Sequence, residues 1–142
     1  MTELKYITEK HHPRYESEGA AGIDLLCDLE EPIVIKPKET AKLTTNLKVE
    51  IPKGHFGAIY PRSSTGYKKN LMLLNTVGII DCDYRGVIGI AFYNYGDEEI
   101  VVNDGDRLVQ MIIQPYAKVN IKESKELSET IRGEGGFGST GN

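Results

Sequence analysis

The feature that most constrains this chain is the shortness of its apolar runs. Ahead of the polar C-terminal stretch, no segment of about 12 residues sustains the 3.6-residue apolar period of an amphipathic helix. Instead, short apolar runs are closed again and again by Pro, Gly, Asn or Asp, the punctuation of an all-β chain. Ile23 to Leu29 and Pro32 to Ile35 read as strands. Leu47-Lys48-Val49-Glu50-Ile51 alternates cleanly before Pro52-Lys53-Gly54 turns the chain, and Phe56 to Tyr60 is stopped by Pro61. Val87 to Tyr95, a turn at Gly96-Asp97 and a return over Glu98 to Val102 predict a hairpin. Asn103-Asp104-Gly105-Asp106 is a further turn, and Leu108 to Ile113 a buried strand. A short helix around Thr65 to Leu71 is weakly marked. The pattern predicts an all-β, jelly-roll-like barrel or sandwich.

The 142 residues suit one domain with a real core. We divide the chain into a β-rich domain, residues 1–121, and a C-terminal arm, residues 122–142. Lys122 to Thr130 is charged without an apolar stripe, and Arg132 to Gly141 is rich in glycine. Such a segment buries too little to offset its ordering entropy, so a mobile tail is expected. No run approaches the ~20 apolar residues of a membrane span, and Met1 to Tyr15 lacks the apolar core of a secretory signal. A cytoplasmic protein is expected. The net charge of −4 argues against broad binding to nucleic acid. Cys27 and Cys82 read as free, apolar thiols. His11 and His12 are adjacent, a poor chelating spacing, and are expected in solvent; His55 has no evident partner.

Five segments are candidates for chemistry. Asp81-Cys82-Asp83-Tyr84-Arg85-Gly86 follows the apolar Val77-Gly78-Ile79-Ile80. A carboxylate there can serve as a general base toward water, or simply cap a turn between strands. Pro61-Arg62-Ser63-Ser64-Thr65-Gly66 ends a strand with one Arg and three hydroxyls. It reads as an anion site, bidentate through Arg, or as a polar turn. Arg132 to Gly141 formally contains G-x-G-x-x-G, but no βαβ unit surrounds it, so the dinucleotide reading fails. Its cation, free amides and single ring can instead close over a nucleotide, with Phe137 stacked on the base. Ala20-Ala21-Gly22-Ile23-Asp24-Leu25 and Gly105-Asp106-Arg107-Leu108-Val109-Gln110 are individually bland.

Taken in order, these five segments resemble the five motifs of the trimeric dUTPase family. The likeness runs from residue 20 to 141, nearly the whole chain. It implies a jelly-roll-like subunit of a homotrimer with shared active sites, hydrolysing dUTP to dUMP and pyrophosphate by attack of water on the α-phosphate. By matching position, Asp81 would be the base and Tyr84 would pack under the deoxyribose. Asn75, with backbone groups near Gly78, would read uracil. Arg62, Ser63, Ser64 and Gln110 would hold phosphates. Arg132, Phe137, Gly138, Ser139 and Thr140 would close the lid, and Asp24 and Asp106 would be supporting residues. Mg²⁺ would arrive on the substrate, held mainly by phosphates and water. The resemblance also implies a role in limiting uracil in DNA and supplying dUMP for dTMP synthesis. Two departures stand out: Thr65, followed by Gly66-Tyr67-Lys68, where the family often has an apolar or small residue, and Ile23 where it often has an aromatic. A dCTP deaminase-like enzyme is the nearest rival, but Val87 to Tyr95 carries no Glu for that chemistry. A non-catalytic nucleotide-sensing binding protein is the other.

Overall fold

The computed structural model describes residues 3–137. Its strands form two main antiparallel sheets. β2 (Ile23–Leu26), β11 (Arg107–Pro115), β6 (His55–Pro61) and β8 (Gly78–Ile80) lie in that order in the first. β4 (Thr40–Thr44), β9 (Gly89–Asn94) and β7 (Leu71–Leu73) make the second. Two smaller pairs complete the set: β1 (Lys5–Ile7) with β5 (Lys48–Glu50), and β3 (Ile33–Ile35) with β10 (Ile100–Val102). The one helix among the described residues, α1, is a single turn at Ser63–Tyr67. This is the expected all-β, jelly-roll-like fold.

Alternation explains the sheets. In β9, Ile90, Phe92 and Asn94 point inward and are buried, while their neighbours are more exposed. β11 contributes Leu108, Val109 and Met111, all fully buried, and β2 contributes Leu25. With Leu43, Leu71 and Leu73 from the second sheet they form one continuous apolar cluster. Fully burying each such side chain contributes roughly 1.5–3 kcal/mol.

The predicted hairpin between Val87–Tyr95 and Glu98–Val102 does not form. β9 pairs with β4 and β7, whereas β10 pairs with β3. The reason is a buried side chain at the corner. Asn94 is fully enclosed, and its Nδ2 donates to the carbonyls of Ile35 (2.9 Å) and Glu98 (2.8 Å). Its Oδ1 accepts the Gly96 amide at 2.9 Å. These bonds lead the chain out of one sheet and into another instead of folding it back. The helix also begins earlier than expected, at Ser63, and ends at Tyr67. β1 and β4 carried no strong apolar run, and β7 lies in the short run Leu71 to Leu74, which was not read as a strand. β4 (Thr-Ala-Lys-Leu-Thr) buries only Leu43 fully, and β1 lies exposed along β5.

His11 is not free in solvent: its Nε2 lies 2.9 Å from Asp104 Oδ1, and its side chain is only 19% exposed. His12 Nδ1 lies 3.2 Å from the Tyr6 hydroxyl, and His55 Nδ1 lies 3.3 Å from the Lys53 carbonyl. Cys27 and Cys82 are both free. Burial pushes the Cys27 thiol up to about 12, so it stays a neutral apolar group. No helix among the described residues is long and apolar enough to cross a membrane.

Candidate active site

The five sequence segments assemble into two groups and a tail. The first group joins Gly22 just before β2 and Asp24 within it, Arg62 to Thr65 just after β6, and Arg107 to Gln110 in β11. A β-bulge makes the junction: the register of β11 against β2 shifts between Arg107 and Val109. Bulges re-aim backbone groups, and here the Leu108 carbonyl accepts both the Arg62 amide (2.9 Å) and the Thr65 hydroxyl (2.7 Å). Thr65 is fully buried, so its hydroxyl fastens α1 to the strand. The departure from family pattern at Thr65 therefore has a structural use that the sequence did not reveal.

Charge organises the rest of this group. Asp24 is buried at 4% exposure, and its Oδ2 lies 3.3 Å from Arg62 Nε and 3.5 Å from Arg107 Nη1. A buried carboxylate is tolerable only with such partners. Arg62 Nη1 also reaches the Arg107 carbonyl at 3.4 Å. Gln110 Nε2 lies 3.5 Å from the Pro61 carbonyl, and a Cβ at Gly22 would collide with the Gln110 side chain. Glycine at 22 thus makes room for that amide. Ser63 is exposed and Ser64 partly so, and no side chain caps the start of α1. The result is a cradle of guanidinium, hydroxyls and amide suited to phosphate oxygens. Arg107 was not singled out from sequence, although it lies within a quoted segment. Its partner Asp24 is 83 residues away, so no local pattern marked it.

The second group lies along β8. This strand is the edge of its sheet and pairs only with β6, Gly78 opposite Ile59 and Ile80 opposite Gly57. Backbone groups on its outer side thus have no strand partner, and they are available to a planar ligand edge. One recess of about 290 Å³ is lined by Asn75, Gly78, Ile79, Ile80 and Gly89, among others. A second, about 160 Å³, shares Ile79, Ile80 and Gly89 and adds Asp81, Tyr84 and Val87. A roomier cavity of about 500 Å³ sits elsewhere, beside Tyr6, Tyr15 and His55, with none of the candidate residues.

Asp81 begins the turn after β8, where the Tyr84 amide donates to its carbonyl at 3.1 Å. Among the described residues, its carboxylate has no hydrogen-bond or ion-pair partner, and Asp81 is exposed. The turn is held by backbone and by Arg85, whose Nη1 donates to the carbonyls of Cys82 (2.8 Å) and Tyr84 (3.0 Å). The side chain of Asp81 is therefore not used as a turn cap. Tyr84 donates its hydroxyl to the Val87 carbonyl at 3.0 Å, and its ring lies where a Cβ on Gly86 would stand. Glycine at 86 lets the ring fold down as a flat platform.

The two groups sit at opposite ends of the β6–β8 pair. Asp81 follows Ile80, which faces Gly57, while Arg62 lies five residues beyond Gly57 along β6. At ~3.3 Å per residue the separation is roughly 15–20 Å within one chain. Asp106 belongs to neither cradle wall: its Oδ2 accepts the Asn103 amide at 3.0 Å and stabilises the turn before β11. The tail leaves the body at Tyr116, whose amide donates to the Gly54 carbonyl. From 117 to 137, every hydrogen bond among the described residues is made within the tail, such as Arg132 Nε to the Gly135 carbonyl at 2.9 Å. Ile121, Leu127, Ile131 and Phe137 are exposed. Gly138, Ser139 and Thr140 lie outside the described residues.

Known proteins resemble this chain along nearly its whole length. The sequence profile of the dUTPase family matches residues 8–141. A deoxyuridine 5'-triphosphate nucleotidohydrolase of a Hydrogenobaculum species is 44% identical over 129 residues, covering 91% of this chain and 89% of that protein. The enzyme of the same name from Escherichia phage T5 is 44% identical, covering 99% of both chains. Among solved structures, the dUTPase of Staphylococcus bacteriophage 80alpha with dUPNHPP superposes with a TM-score of 0.90, at 25% identity and over 100% of both chains. The fold that carries the arginine-and-hydroxyl cradle, and the turn with Asp81 and Tyr84 after the open β8 edge, is matched as a whole in sequence and in shape: the chain belongs to the dUTPase family.

Proposed function

We propose that this protein hydrolyses dUTP to dUMP and pyrophosphate, with Asp81 as the base that orients and deprotonates the attacking water. The observation that carries this reading is the free carboxylate of Asp81 at the mouth of the β8 recess. A general base needs a lone pair uncommitted to the protein, and Asp81 has one. The unpaired outer edge of β8 near Gly78, together with Asn75, reads the uracil edge. Cytosine is refused because mispaired buried polar groups are costly. The Tyr84 platform packs under the deoxyribose and leaves no room for a 2′-hydroxyl.

Arg62, Ser63, Ser64 and Gln110 bind the phosphates, where positioning and charge stabilisation supply most of the rate. Asp24 and Asp106 are already engaged by arginines and by a backbone amide, which suits a Mg²⁺ held by substrate phosphates and water instead of by a cage of carboxylates. When bound, Mg²⁺ would offset part of the triphosphate's negative charge.

The separation of cradle and carboxylate within one chain supports a homotrimer in which Arg62 of one subunit serves Asp81 of another. The tail, whose described residues bond only among themselves, would close over a neighbour's site through Arg132 and Phe137, with Gly138, Ser139 and Thr140 as phosphate donors. In the cytoplasm, such an enzyme would limit uracil incorporation into DNA and supply dUMP for dTMP synthesis. A pyrophosphate-release assay across all deoxynucleoside triphosphates with Mg²⁺ tests the reading. Release from dUTP alone is expected; comparable release from dCTP or dTTP, or ammonia from dCTP, would reject it.

A further inference from the structure

The phosphate cradle has a contributor outside the five segments. Glu16 stands in the loop that leads into β2, and its carboxylate is gripped from two sides. Arg14 Nε donates to its Oε1 at 2.7 Å, and Arg107 Nη1 lies 2.7 Å from its Oε2. Beyond Arg107 comes Asp24, whose Oδ2 lies 3.5 Å from that same Nη1 and 3.3 Å from Arg62 Nε. Charges of alternating sign thus run Arg14, Glu16, Arg107, Asp24, Arg62.

The distances along this chain are unequal, and the inequality matters. Arg107 is tight on Glu16 and loose on Asp24. Both guanidiniums face the same oxygen of the buried Asp24, Oδ2. Without the pull of Glu16, Arg107 would close on Asp24 and compete with Arg62 for it. The loop holds Glu16 at a set height, because Arg14 bridges Asp24 through backbone: the Asp24 amide donates to the Arg14 carbonyl at 2.9 Å. Arg14 first, and then Arg107, hold the Glu16 carboxyl below the usual range, so it keeps its charge through neutral pH.

We propose that Glu16 is a positioning residue for phosphate binding: by holding Arg107 it leaves Asp24 to Arg62, whose guanidinium is thereby aimed at the triphosphate. The proposal rests on the reading of Arg62 as a phosphate ligand. It concerns binding of the phosphates and not the chemical step, which sets it apart from a merely structural loop contact.

The test uses the full chain and two variants, Glu16→Gln, which keeps length and loses charge, and Glu16→Asp, which keeps charge and loses reach. Affinity for an imido analogue of dUTP and for dUMP is measured by calorimetry, beside KM and kcat. Glu16→Gln is expected to weaken the triphosphate analogue and raise KM about fivefold, the upper range for a partly exposed ion pair, with kcat within about twofold. Glu16→Asp should fall between Glu16→Gln and wild type, and dUMP affinity should hold in both. In an Arg62→Ala background, Glu16→Gln should have no further effect on the analogue. Unchanged triphosphate affinity in Glu16→Gln, an equal loss for dUMP, or a full loss that persists without Arg62 would each overturn the proposal. If Arg62→Ala itself binds the analogue as wild type does, the phosphate reading of Arg62 fails, and the proposal falls with it.

Discussion

The two halves of the candidate site are built on opposite plans. Around Asp24, every charged group already has a partner: the carboxylate lies between Arg62 and Arg107, and the Leu108 carbonyl fixes the loop that carries the hydroxyls. Around Asp81, the carboxylate, the ring of Tyr84 and the outer edge of β8 are left open. The cradle is preorganised by opposite charges, which is what the proposed phosphate binding would use. The β8 edge has shape and an unspent base, but little charge to hold a ligand. Each half lacks what the other has, which is the physical case for sites completed between chains.

The contrast makes sharp demands on variants. Removing the proposed base should do the most: Asp81→Asn should cut turnover by about 10³–10⁴-fold, the upper part of what general-base catalysis contributes, while affinity for a dUTP analogue survives. Turnover near wild type would take Asp81 out of the mechanism. Next comes the counter-ion. Asp24→Ala leaves Arg62 without its carboxylate while Arg107 keeps Glu16, and with both guanidiniums partly exposed the loss is about 1–3 kcal/mol, seen as a lower midpoint in denaturant; an unchanged midpoint would mean that the cradle is not charge-organised. Deletion of residues 132–142 should leave the melting temperature and oligomeric state intact and reduce kcat/KM by roughly 100-fold through lost positioning. Dissociation or unfolding would make the tail structural.

The smallest effect concerns pH. Lys10 first, then His11 and the Leu29 amide, hold the Asp104 carboxyl well below its usual range. A depressed carboxyl stabilises the fold above its ordinary value of 3.8, and the contribution is lost as pH falls from there toward the folded value. The stability difference between wild type and Asp104→Asn should therefore shrink as pH falls below about 4. A difference that stayed the same down to about pH 2 would contradict the assignment.

The β-class of the fold was legible because Phe92, Leu108 and Met111 sit in short apolar runs, closed by turn residues, that the structure buries as strands. The pairing of β9 was not, because it depends on where one buried amide, Asn94, finds carbonyls 59 and 4 residues away. Weak strands such as β4 escaped for a related reason: Thr40 to Thr44 is ordered by its neighbour β9 and not by its own apolar content. At the site, Arg62 and Asp81 were visible as residue types in suggestive turns, while Gln110, in a bland segment, stood out only through the family resemblance. Their grouping was not visible, since the Arg62–Asp24 contact joins distant segments and Thr65 serves by a hydroxyl hidden from solvent. Glu16 gave no signal at all, being one acidic residue in a charged loop.

The doubled bond at Leu108 carries a last implication. One backbone oxygen spends both lone pairs on the same short loop, so the start of α1 and the bulge of β11 behave as a single mechanical part. A ligand that tugs on Gln110 drags Arg62 with it, and any evolutionary change in the length of either segment has to be answered in the other.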